Sequence, residues 1–163
     1  MVQIVENADP ATETGKDTAR GAPWHLWVVG FVSLLWNAFG ATDYTMSQLR
    51  VRAWLDPAAE SMGITAAQMI AYIDGFPAWV HAFWALGVWG AIIGSVLLLL
   101  RKRHAVWVFA LSLVGLAVTQ FYQAFAPQPE WVDGNVTINL VIWSIATFLL
   151  IYAVSMTRKG VLR

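Results

Sequence analysis

Apolar residues in this chain gather into four long blocks, roughly residues 24–42, 77–100, 105–126 and 136–156, separated by shorter polar stretches. Each block is about 19 to 24 residues long, and at 1.5 Å per residue a helix of about 20 crosses the hydrocarbon core of a bilayer. None of the four holds Asp, Glu, Lys or Arg. Backbone polar groups in lipid must be satisfied within the segment, so the blocks are predicted to be helices rather than strands. The expected fold class is an all-α membrane protein, an antiparallel four-transmembrane-helix bundle spanning residues 23–163. The first 22 residues lack an apolar run and are read as a disordered cytoplasmic tail rather than a signal peptide.

Between the first two blocks lies a connection, 43–75, too long for a turn and too polar to insert. Thr65 and Gln68 have capping-box spacing ahead of Met69, Ile70 and Ile73. A short amphipathic outer helix is predicted there, ended by Gly75 and Pro77. The stretch around Met46–Leu55 is expected to prolong the first span.

Composition agrees with a bilayer as solvent. Hydrophobic residues make up 58% and charged residues 12%, about half the charged share of a soluble domain; mean hydropathy is +0.58. The net charge is zero, which argues against nucleic-acid binding. There is no cysteine, which removes disulfides, thiolate metal sites and thiol redox chemistry. Lys16, Arg20, Arg101, Lys102, Arg103, Arg158, Lys159 and Arg163 fall on one side of a four-span topology, and Arg50 and Arg52 on the other. The excess places both termini in the cytoplasm, most simply of a bacterial inner (plasma) membrane. Trp24, Trp27 and Trp107 then mark the cytoplasmic interface, and Tyr44, Trp79 and Trp131 the outer one.

Lipid chains are as apolar as leucine, so small and hydrogen-bonding residues mark helix contacts. Gly30, Ser33, Asn37, Gly40 and Tyr44 form such a stripe in the first span, and Phe83, Gly87, Gly90 and Gly94 in the second. In the third, Ser112, Gly115, Thr119, Tyr122 and Ala126 line up; in the fourth, Thr137, Leu140, Ser144, Thr147 and Ile151. Gly30, Gly40, Gly87, Gly90, Gly94 and Gly115 are the expected points of close helix packing.

Polar side chains within a span are functional suspects. Asn37, His81, Gln120, Tyr122, Gln123 and Asn139 all fall in the outer half. Asn37, His81, Gln120 and Tyr122, with Trp36 and Trp84 as walls, are predicted to line a pocket open to the outside. Amide, imidazole and phenol groups beside indole faces suit a small neutral solute. The competing reading is that these side chains bond helix to helix. For the solitary His81, a bonded interface residue competes with a pH sensor or proton shuttle. No metal-ligand spacing and no nucleophile with a base appear, so neither a metal, a cofactor nor enzymatic activity is expected.

The stretches Trp24–Gly30, Leu35–Gly40 and Asp43–Met46, with Gly75–Val80, Ala85–Gly90 and Gly94-Ser95, resemble a family of small four-span proteobacterial inner-membrane proteins labelled "sugar transporter". The likeness runs from Trp24 to about Gln123. It implies the four-span fold and a solute-handling role, and it assigns no site residues. The lack of a polar inner gate and of broken helices at midplane speaks against transport through one subunit. Two roles therefore stand side by side. One is a solute-binding or transporting protein. The other is a non-catalytic accessory subunit of a larger membrane complex, with the bilayer and either copies of itself or that complex as partners.

Overall fold

The computed structural model describes residues 21–132 and 136–163, and no strand occurs among them. The helices run in the order α1 (Trp24–Gln48), α2 (Arg52–Ser61), α3 (Ala66–Asp74), α4 (Ala78–Leu99), α5 (Ala105–Phe125) and α6 (Val136–Arg158). α1, α4, α5 and α6 are long and apolar enough to cross a membrane, and the chain is a multi-pass membrane protein built as a four-helix bundle. Pro23 and Pro77 stand immediately before α1 and α4, where a missing backbone N–H breaks no helical bond. The expected tail falls almost wholly on residues 1–20, outside the described residues.

The connection after the first span differs from expectation. α1 continues past Thr42 as far as Gln48, because Asp43 and Tyr44 extend the helix rather than end it. It does not prolong to Leu55. Arg50 adopts a left-handed conformation, φ 55°, and the Arg50 and Val51 amides donate back to the Ser47 and Met46 carbonyls, the bonding of a Schellman cap. A second short helix, α2, follows before α3, so two outer helices stand where one was predicted. At the start of α3 the Gln68 amide donates to Thr65 Oγ1 and the Thr65 amide to Gln68 Oε1, as the capping-box spacing requires. α2 and α3 bury Leu55, Ala59 and Ala66 between them, and an exposed ion pair, Arg50 to Asp74 at 2.6 Å, ties the end of α3 to the turn after α1.

Within the bundle α4 lies between α1 and α5, and α6 packs on α5. The α4–α5 seam is the closest. A Cβ on Gly115 would sit 2.6 Å from the Phe83 carbonyl oxygen, and one on Gly90 would sit 3.0 Å from Ser112 Cβ. The Ser112 hydroxyl donates to the Gly87 carbonyl across this seam. A Cβ on Gly94 would sit 2.6 Å from the Phe109 ring, and one on Gly30 2.5 Å from a Leu99 methyl. Gly40, expected at a helix contact, has nothing within 4 Å of such a Cβ; no neighbouring helix approaches it. The small-residue stripe predicted for α6 is also displaced, since Thr137, Leu140, Ser144, Thr147 and Ile151 are exposed. α6 instead turns Leu149, Ala153 and Met156 inward. Two bulky apolar side chains and one small one, Ala153, make its shallower contact.

One end of the bundle carries the basic residues Arg101, Lys102, Arg103, Arg158 and Lys159, and the other carries α2 and α3. At the basic end the chain turns at Gly160, φ 69°, a conformation that suits glycine. Val161 and Leu162, each 4% exposed, join a core of Leu26, Leu98, Phe109, Leu149 and Met156. The Arg163 amide donates to the Arg101 carbonyl and the Arg103 amide to the Arg163 carbonyl. The last residues thus plug the basic end.

Candidate functional site

Above that plug the four long helices enclose a cavity of about 400 Å³, within the range that holds small organic ligands. α1 contributes Trp36, Asn37, Gly40 and Asp43 at helical three-and-four spacing. α4 contributes Trp84, Gly87, Val88 and Ala91, and α5 adds Ser112, Thr119, Gln120 and Gln123 above Phe109. The α6 wall is wholly apolar, through Ile138, Ile142, Ile145 and Leu149. Asp43 and Gln123 stand at one end of the wall, Asn37 and Ser112 lie about 9 to 17 Å deeper at 1.5 Å per residue, and beyond them the lining is apolar through Phe109 and Leu149. The polar end faces α2 and α3; the apolar end stops at the basic-end core.

The cavity has a side opening. α1 packs on α4 and α6 on α5, whereas α1 and α6 share no comparable seam. Phe39 on α1 and Ile138 on α6 both line the cavity, yet they are 63% and 55% exposed. Their helices meet near the basic end, where the Tyr152 hydroxyl lies 2.6 Å from His25 Nδ1.

Hydrogen bonds engage several donors of the polar wall. The Asn37 side-chain amide nitrogen donates to Ser95 Oγ at 2.9 Å and to the Ala91 carbonyl at 3.3 Å, joining α1 to α4. The Gln120 side-chain nitrogen donates to Asn139 Oδ1 at 3.2 Å, joining α5 to α6. The Thr119 hydroxyl donates to the Gly115 carbonyl. The helix-to-helix reading therefore holds for the donors of Asn37 and Gln120, while both residues also face the cavity. Asp43 accepts from the Trp54 indole N–H at 3.1 Å through one oxygen, and Trp54 also packs against Phe39.

Of the six predicted pocket residues, Trp36, Asn37, Trp84 and Gln120 share the cavity wall. His81 and Tyr122 do not line it and belong to an aromatic cluster under α3. The Gln48 amide donates to His81 Nδ1 at 3.2 Å, and the imidazole stacks beside Trp84. Tyr122 meets Phe76 and Trp79 edge-on, with centroids 5.6 and 5.5 Å away. Phe76, itself buried, also meets Tyr72 at 4.9 Å. Trp84 belongs to both groups, since Tyr44 packs edge-on against it at 5.0 Å. Asp43, Thr119 and Gln123 are wall residues that the predicted pocket omitted. Their signal was the helical spacing from Trp36 through Asp43 and from Ser112 through Gln123. Among the described residues no group of His, Asp and Glu is placed to hold a metal ion. Comparison with protein-family models, curated proteins and solved structures finds no match to this chain.

Proposed function

We propose that this membrane protein binds a small organic solute inside its bundle, reached from the α2–α3 side and from the gap between α1 and α6. The observation that carries this reading is the cavity itself, lined by two indoles and by polar groups from α1 and α5. A ligand held there gains apolar contact along its body and hydrogen bonds at its head. The resemblance to four-span proteins labelled "sugar transporter" favours a solute-handling role as well. Holding fits better than conduction: the basic-end plug of Leu26, Leu149, Met156, Val161 and Leu162 offers no polar lining. The orientation inferred from the positive charges puts the polar end outside, in a bacterial inner membrane.

A thermal-unfolding screen of the purified protein against monosaccharides, polyols and small aromatic amines tests this. At least one class is expected to raise the transition temperature. Ala146→Trp, which fills the cavity, is expected to abolish that rise. A screen without a shift, or a shift that survives in Ala146→Trp, overturns the reading.

A further inference from the structure

Among the described wall residues Asp43 alone carries a formal charge, and no Lys, Arg or His lines the cavity. The donors of Asn37, Gln120 and Thr119 are engaged with protein acceptors, so these three side chains offer a ligand their oxygens. Two indoles, Trp36 and Trp84, stand on the same wall, with Phe39 beside them. Indole faces are negative at their centres and attract cations, and here they stand with Asp43 at an exposed edge of the cavity, Trp36 being 42% exposed. Trp54 supports this arrangement from outside: its indole N–H holds one oxygen of Asp43, leaving the second unengaged by the protein.

The geometry points to a lipophilic cation, an amine or quaternary ammonium with an apolar body, as the ligand of this cavity. The positive head lies at the end of the cavity that holds Asp43 and Trp84, and the body extends past Trp36 toward Ile142, Ile145 and Phe109. The gap between α1 and α6 admits such a molecule from the bilayer, where amphiphilic cations accumulate. This inference rests on the cavity being a binding site, as proposed above. It replaces the neutral solute expected from sequence, an expectation that left Asp43 outside the span and off the pocket wall.

The test compares phenyltrimethylammonium with tert-butylbenzene, which has nearly the same shape and no charge, by tryptophan fluorescence titration of the full-length protein. The cation is expected to bind at least about tenfold more tightly. Asp43→Asn keeps an acceptor for Trp54 and is expected to lower cation affinity about tenfold while leaving tert-butylbenzene unchanged. Thermal unfolding of the variant confirms that it is folded, and Ala146→Trp is expected to exclude both compounds. Equal affinities in the wild type, or cation binding indifferent to Asp43→Asn, overturn the inference. If tert-butylbenzene still binds and Ala146→Trp excludes it, the cavity reading survives that failure. Binding of neither compound overturns the inference, and the solute screen then decides the cavity reading on its own.

Discussion

The Tyr152 hydroxyl and His25 Nδ1, 127 positions apart in the chain, lie 2.6 Å from one another and join α6 to α1. Above them these two helices part, and the cavity opens between them. The pair therefore sets where the gap begins. Tyr152→Phe keeps the ring, which also meets Phe148, and removes only the hydroxyl. It is expected to cost about 1 kcal/mol, the ordinary worth of a hydrogen bond between membrane helices. Unfolding in a denaturing-detergent titration measures that loss. Cysteine pairs placed across α1 and α6 are expected to cross-link less selectively in the variant.

Gly115 and Gly40 make opposite predictions, although both were read as packing glycines. A methyl on Gly115 meets backbone atoms of α4, which cannot rotate away. Gly115→Ala is expected to destabilise by about 3 kcal/mol through forced separation of α4 and α5. Gly40→Ala meets open space, and alanine is the better helix former, so stability is expected to hold or rise by up to about 1 kcal/mol. Parallel unfolding titrations of the two variants distinguish a close helix contact from a cavity wall.

The outer layer carries its own pH dependence. Burial of the Tyr72 phenol beneath α3 holds its pKa above the ordinary value, and the neighbouring Tyr122 adds to the shift. A raised phenol favours the neutral form in the folded state. Its contribution is therefore complete below the unfolded pKa of about 10 and is lost as pH rises through the higher folded value. The wild type is expected to loosen α3 on that alkaline limb, read as a change in the near-ultraviolet dichroism of the Tyr72–Trp131 contact. Tyr72→Phe, which cannot ionise, is expected to lack this transition.

Much of the architecture was legible in the chain. The four uncharged blocks marked the spanning helices because nothing else satisfies a backbone in lipid, and Thr65 with Gln68 marked the start of α3. Depth along a helix was legible too, since rise per residue is fixed; direction around the helix was not. Tyr122 is one residue from Gln123, yet one faces the aromatic cluster and the other the cavity. Asp43 was read as the end of a span because a charge closes an apolar block, but the helix runs on through it and sets it, still exposed, on the cavity wall. On α6 the stripe expected at the contact is displaced: Leu149, Ala153 and Met156 turn inward, and Ser144 and Thr147 are exposed. Such a choice depends on which neighbour a helix meets, and that is a property of the whole bundle.

The closest seam of the bundle joins α4 to α5, the two helices separated only by the short turn from Leu100 to His104. Closing so short a loop carries little entropic cost, whereas α1 must be brought back to α4 across the whole excursion through α2 and α3. The hairpin of α4 and α5 therefore has both the best interlocking surface and the shortest search. It is the natural nucleus of assembly in the membrane, with α1 and α6 docking afterwards on its two flanks. Because the cavity walls come from all four helices, the binding chamber comes into being only at the last of these steps.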